Sequence, residues 1–279
     1  AASMIGYVTM GMALVPMVVP MIGGALDELL GWHAVFVFLF LFGAAVTALL
    51  WADQGETAAS SGRTMAQQVR EYPELLTSPR FWGYALAAAF ASGAFFAFLG
   101  GAPYAASEIY GMSPLWTGIA FGAPAIGYFL GNFLSGRFSA RVGINRMMLW
   151  GAASVAAGMA VSITLGLAGL SHPAVFFTAM TAVGAGNGMM IPNATSGMLS
   201  VRPHLAGTAS GLGGAIMIGG GAAMSVLAGI VLEGASTSLP LQALMLATSV
   251  CALLCTLYVV ARTRRLEGPG GYAPAGEGA

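Results

Sequence analysis

Apolar residues fall in eight runs of about 20 residues, near 4–26, 32–51, 81–103, 115–135, 147–168, 174–194, 207–232 and 239–261. Short stretches rich in Gly, Pro, Ser and charged residues part them. At about 1.5 Å of rise per residue, a helix of that length crosses a hydrocarbon layer about 30 Å thick. Lipid offers no hydrogen-bond partner to a bare backbone, so each run is predicted to be helical. Trp32 and Trp51 frame the second run, at a separation of roughly 29 Å along a helix axis. Indoles favour the two membrane interfaces, which places the ends of that span. The predicted fold class is an all-α polytopic membrane protein with eight transmembrane helices.

Composition agrees with this pattern. Hydrophobic residues make up 57% of the chain and charged residues 7%, with a mean hydropathy of +0.81, against about 25% charged residues in ordinary soluble domains. The net charge of zero gives no reason to expect a nucleic-acid partner. All ten basic residues are Arg, and they fall in four connections: Arg63, Arg70 and Arg80; Arg137, Arg141 and Arg146; Arg202; and Arg262, Arg264 and Arg265. With eight spans these connections share one side, a placement that random assignment produces about one time in 20 and the positive-inside rule requires. That side is therefore read as cytoplasmic, together with both termini. The opposite side holds Asp27, Glu28, His33, Glu108, His172 and Glu233 and no Arg.

Candidate chemistry inside the spans is neutral. No run has an Asp, Glu, Lys, Arg or His in its interior, although a charge there is costly and marks function when present. An intramembrane enzyme would need such a group, so no catalytic residue is expected. Cys251 and Cys255, one turn apart in an apolar run, have no further ligands near them, and neither a metal site nor a cofactor is expected. The candidates for a substrate path are uncharged: Thr178, Thr181, Gly184 and Asn187 or Gly188 on one helical face, a break near Pro192 and Asn193, Tyr128 with Asn132 one turn on, and Ser92 with Phe95 and Phe96. A broken helix would turn carbonyls toward a cavity. Ordinary interhelical packing is the alternative for each of these residues. The 17 methionines, including Met10, Met17 and Met21 on one face, are read as packing or as an adaptable surface.

Helix breakers concentrate in the first run, where Pro16, Pro20, Gly23 and Gly24 follow one another at spacings that form one stripe. Small residues recur in the fourth run at Gly118 and Gly122, then Ala123, Gly127 and Gly131, as in closely packed membrane helices. These two helices are predicted to meet. A fainter echo pairs the first two runs with the last two in order, length and sidedness, as parallel repeats do in transporters.

Three segments carry a family resemblance. VPMVVPMIGGALDELLGWHAVF, residues 15–36, resembles the proline and glycine motif of the fifth helix in antiporters of the major facilitator superfamily. GNFLSGRFSARVGINRMM, residues 131–148, resembles that superfamily's cytoplasmic loop motif in its second-half copy, matching at Gly136, Arg137, Arg141, Gly143 and Arg146 and departing at Ala140, where the first-half motif has Asp. IPNATSGMLSVRPHLAGTASGLGG, residues 191–214, is similar to the helix ten to eleven turn of the Bcr/CflA branch of drug exporters. The motif's glycines are expected to permit a tight turn, and its arginines to reach helix carbonyls or lipid phosphates.

The resemblance implies helices five to twelve of a twelve-helix transporter. Residues 1–51 would hold the last two helices of the N-terminal half, 52–80 the central cytoplasmic loop with a short helix near 65–76, 81–261 the six-helix C-terminal half and 262–279 a disordered tail. It further implies a bacterial inner-membrane protein, monomeric when full length, that exports small amphipathic drug-like molecules of the bicyclomycin and chloramphenicol type by alternating access. Protons would be the coupling ion, bound by a carboxylate in first-half helices absent from this chain. The helix pair carrying the proline and glycine stripes would seal the outer side. Export of a native metabolite such as a sugar or amino-acid derivative, and a truncated chain that is inactive alone, stay open as alternatives.

Overall fold

A computed structural model describes residues 19–53 and 72–267. Seven helices among these are long and apolar enough to cross a membrane: Trp32–Asp53, Pro79–Ile109, Pro114–Val142, Ile144–Leu167, Pro173–Val201, Pro203–Leu232 and Leu239–Thr263. They coincide with the second to eighth apolar runs, several reaching a turn or two further. Most of the first run, with Pro16, lies outside the described residues, as do most of the 52–80 stretch and the tail from 268 onward. The described residues contain no strand.

In chain order the helices are α1 (19–30), α2 (Trp32–Asp53), α3 (72–76), α4 (Pro79–Tyr104), α5 (Pro114–Ala120), α6 (Gly122–Val142), α7 (Ile144–Leu167), α8 (Pro173–Val201), α9 (Ala206–Leu232) and α10 (Leu239–Glu267). Their starts are written locally. Ser78, Ser113 and His172 each accept a hydrogen bond from a backbone amide of the turn that follows, and each precedes a proline at the first helical position, where the missing amide proton costs nothing. Of the loop-motif glycines, only Gly143, at φ 91°, makes the turn between α6 and α7. Gly136 lies inside α6, open on its outer side, so the expectation that both glycines serve the turn is corrected. Arg137, Arg141 and Arg146 are all exposed around this turn.

Two helices organise the C-terminal bundle. The alanine-rich α4 packs against α8, α9 and α10, and α8 packs against α4, α6 and α7. With the Arg-bearing end named the inner one, after the sequence expectation, the inner half of the core gathers Leu75, Phe81, Tyr84, Met148, Met190 and Val259. The outer half gathers Phe98, Met159, Phe176, Phe177, Leu232 and Leu241. Tyr84 joins four elements at the inner end: its hydroxyl donates to Asn145 Oδ1 at 3.0 Å, its ring lies against Gly197 of α8, and Thr263 of α10 lies beside it. Nearby, α3 seats Leu75 fully buried in the core, and Glu74 pairs with Arg202 at 2.9 Å after α8.

The tightest contact joins α6 to α8, backbone against backbone. A Cβ added at Gly127 would strike Thr181 O, one at Gly131 would strike Ala185 O, and one at Gly184 would strike Pro124 O. Gly188 sits 2.6 Å, by the same measure, from Asn132 N and Tyr128 O. Two expectations change here. Gly127 and Gly131 face α8, not α1, because the single-residue step from Gly122 to Ala123 rotates the later stripe by about 100°, and the helix is interrupted at Phe121. The break expected near Pro192 and Asn193 is also absent, since α8 continues through both to Val201. A proline deprives the carbonyl four residues back, here that of Gly188, of its partner, while the side-chain amide of Asn193 adds a donor to the next carbonyl, Met189 O, at 2.7 Å.

This packing makes Gly127→Leu and Gly184→Leu overpacking substitutions that cost about 1–3 kcal/mol or more. Their expected outcome is a thermal midpoint several degrees lower for the detergent-purified protein, followed by tryptophan fluorescence. Gly136→Ala, at a position with nothing within 4 Å, is expected to leave the midpoint unchanged or slightly raised.

Candidate functional site: the outer seam and the polar core between α6 and α8

At the outer end, α1 lies against α5 through its small residues. A Cβ on Gly24 would come within 2.5 Å of Pro114 O and 3.2 Å of Leu115 Cα, and one on Gly118 would strike Pro20 O and come within 3.1 Å of Met21 Cα. Gly23, beside Gly24, meets nothing within 4 Å, and Gly122 is buried. Glu28 adds a directed contact: its Oε2 accepts from Ser113 Oγ at 3.3 Å and from Leu115 N at 3.2 Å. The first amides of a helix have no partner within it, and a carboxylate there is favoured by the backbone dipoles. Glu28 thus ties the end of the α1 helix to the first turn of α5 across 87 residues of chain. Below this contact a cavity of about 520 Å³ opens between the α1–α2 corner and the outer ends of α4 and α5, with Asp27, Trp32, Phe36, Thr117 and Phe121 on its walls.

The candidate path residues fall mainly on the α6–α8 contact. Tyr128 is half-buried on α6, and Asn132 donates to its carbonyl at 2.8 Å. Thr181 presents its carbonyl to Gly127. Asn193, 2% exposed, donates to Ser135 Oγ at 2.8 Å as well as to Met189 O. Asn187 is equally buried, and its Oδ1 has no hydrogen-bond partner among the described residues. Buried carboxamides are nearly always satisfied, and Asn187 shares this unmet acceptor with Gln242, 3% exposed on α10, whose Oε1 is likewise without a partner among the described residues. Phe95 stands apart, stacked on Phe98 at 6.3 Å between ring centres. None of the six lines the outer cavity or the second one bounded by Gly100, Tyr104 and Glu233.

Three features went unread in the sequence. Ser135 continues the Gly127 and Gly131 stripe at the same spacing, a signal that was present. Phe98, Phe121, Phe176 and Phe177 form an aromatic knot, with Phe98 and Phe121 centred 4.7 Å apart and Phe176 and Phe177 5.0 Å apart. Its members come from α4, α8 and the break before α6, which no local pattern links. Glu28 reads as a solvated end residue until α5 is folded beside it.

The α1–α5 contact predicts that paired cysteines replacing Gly24 and Leu115 form a disulfide under mild oxidation, because backbone separations of this size suit the bond. Cleavage at a protease site inserted within 54–71 is expected to leave the two fragments joined until reductant is added. A Gly23→Cys partner, which faces open space, is expected not to cross-link.

The chain's residues 1–226 match the model of the Major Facilitator Superfamily. It is similar to the uncharacterised MFS-type transporter YdgK of Bacillus subtilis, 30% identical over 253 residues, which cover 87% of this chain and 60% of that protein. It is also similar to a bicyclomycin resistance protein homolog of Haemophilus influenzae, 28% identical over 94% of this chain and 66% of the relative. A chloramphenicol resistance protein of Pseudomonas aeruginosa is 28% identical over 93% of this chain and 61% of its own length. The chain thus spans about three-fifths to two-thirds of these three relatives, and the names of the second and third accord with a drug-efflux branch. With its bundle of membrane-length helices and a family match over most of its residues, this chain belongs to the Major Facilitator Superfamily.

Proposed function

We propose that the protein of which this chain forms the described part is a proton-coupled exporter of amphipathic, drug-like molecules, working by alternating access in the bacterial inner membrane. The observation that carries the reading is the pairing of a charge-free helix interior with buried neutral amides at Asn132, Asn187 and Asn193. A substrate taken up by such an interior is held by apolar burial and a few polar contacts, as drug-like ligands are. Similarity to proteins named for bicyclomycin and chloramphenicol resistance supports the same substrate class. Asn187 is the proposed substrate contact, since its carboxamide oxygen gains a donor only from outside its present surroundings. The α1–α5 seam is the proposed outer gate: it is narrow, built on close backbone approach and closed by one carboxylate. Proton coupling is assigned to a carboxylate in the part of the relatives' length that this chain does not span.

Expression of the complete reading frame in a drug-sensitive host lacking its own pumps tests this. The expected outcome is a severalfold rise in tolerated chloramphenicol, bicyclomycin or sulfonamide, abolished when the proton gradient is collapsed. Asn187→Leu is expected to remove most of the resistance at unchanged expression, because one lost hydrogen bond in a desolvated site costs about 1–3 kcal/mol. Absence of resistance and of gradient-dependent efflux for the whole panel would overturn the drug reading and favour a native metabolite.

A further inference from the structure

Near the outer end of the bundle, α10 carries a buried polar chain. Tyr110, in the turn after α4, is bonded to Ser238 through the two hydroxyls at 2.7 Å, and Gln242 Nε2 donates to Ser238 Oγ at 2.8 Å. The other end of the Gln242 carboxamide, Oε1, accepts from nothing among the described residues. Ser162 of α7, 2% exposed, likewise has no partner there for its hydroxyl. Helix register brings these two orphans to one depth. A Cβ on Gly166 would lie 3.2 Å from Leu239 Cδ2, where the end of α7 meets the start of α10. Ser162 is one turn back along α7 and Gln242 nearly one turn on along α10, each about 4.5–6 Å deeper. Around α10, Gln242 falls between Leu239, which faces α7, and Leu241, which faces Gly101 of α4. Met159 and Met245, three residues deeper on the two helices, share one fully buried apolar cluster with Leu241.

We infer that one water molecule is bound at this junction of α4, α7 and α10, donating to Gln242 Oε1 and accepting from Ser162 Oγ. A buried amide oxygen or hydroxyl without a partner is costly, and native interiors leave few of them. Here the two are complementary, an acceptor on one helix and a donor on the next, yet they are not bonded to each other. A water meets both at once, because it donates and accepts, and buried waters sit where polar groups converge in this way. Ser162, Ser238 and Gln242 bear no charge, so a neutral occupant is favoured over an ion. With the water bound, hydrogen bonds run from Tyr110 through Ser238, Gln242 and the water to Ser162. The turn from which α5 departs is thereby fastened to α10 and to α7.

A brief X-ray pulse tests this, since it turns bound as well as bulk water into hydroxyl radicals that oxidise the nearest methionine sulfur, read by peptide mass spectrometry. In the purified full chain in phosphatidylcholine nanodiscs, Met159 and Met245 are expected to oxidise severalfold faster than Met148, which is equally buried towards the other end of α7. Rates no faster than that of Met148 would mean a dry junction, with Ser162 and Gln242 bonded directly, and would overturn the inference with no variant needed. Hydrogen peroxide added without X-rays is expected to oxidise Met21, which is exposed, and to spare Met159 and Met245. Peroxide reaching Met245 as fast as Met21 would trace the labelling to bulk water admitted by opening, and would overturn it too. Ser162→Ala combined with Gln242→Leu is expected to slow Met245 to the rate of Met148 and leave Met21 unchanged. Labelling retained in that variant would overturn the assignment of the water to these two groups. A variant that loses its fold speeds Met148 with the rest, and the comparison within the unsubstituted protein then decides. No transport is measured, so the result is independent of the exporter reading.

Discussion

Everything else in the bundle depends on how closely α6 and α8 approach. In water, apolar burial alone would bring two such helices together, but lipid tails are as apolar as leucine and supply no such drive. Association then rests on dispersion between atoms at contact distance and on hydrogen bonds that lipid cannot replace. Gly127, Gly131, Gly184 and Gly188 supply the first by leaving out a Cβ at four positions of the contact, so that backbone meets backbone along two turns of each helix. Asn193 and Ser135 supply the second, 2% and 5% exposed and bonded to each other at the inner end of the same contact. From this pair α8 extends its other faces to α4 and α7, and α4 carries α9 and α10.

The outer seam uses the same devices with far less area. Gly24 and Gly118 bring α1 and α5 to comparable separations, but among the described residues a single turn of each is involved, and the directed bonds are those of Glu28 to the first turn of α5. No residue of α2, the helix that follows α1, is buried. A short contact closed by a carboxylate at a helix start separates at modest cost, since such a charge is worth about 0.3–1 kcal/mol at an exposed site. The α6–α8 contact opens only by losing a continuous backbone interface. The contrast supports a rigid C-terminal bundle against which α1 moves, which is the division of labour that the proposed exchange between outward and inward access requires.

The spans were legible because lipid imposes one requirement on every one of them, and seven apolar runs became helices with ends near the expected residues. Serine or histidine before proline marked three helix starts for equally local reasons. What failed were inferences that treated a stripe of small residues as if its partner were written beside it. Spacing alone joined Gly118 to Gly127, although a shift of one residue at Ala123 carries the later glycines to another face. Pro192 likewise signalled a break, yet α8 runs through it to Val201. Neither the partner of Glu28 nor the aromatic knot around Phe98 leaves a local trace, because each is assembled from segments far apart in the chain.

That division also separates the two carboxylates of the α1 end, adjacent in sequence and unlike in consequence. Helical geometry turns neighbouring residues about 100° apart, so Glu28 faces the first turn of α5 while Asp27 faces the cavity. Glu28 accepts from one backbone amide and one hydroxyl of the α5 start, and those bonds exist only while α1 and α5 are together. Asp27 has no such partner among the described residues and stands half-buried on the cavity wall. If the seam parts, Glu28 loses that amide, so opening at this end is opposed by the carboxylate that the first turn of α5 holds, while Asp27, one residue earlier, carries no such link among the described residues.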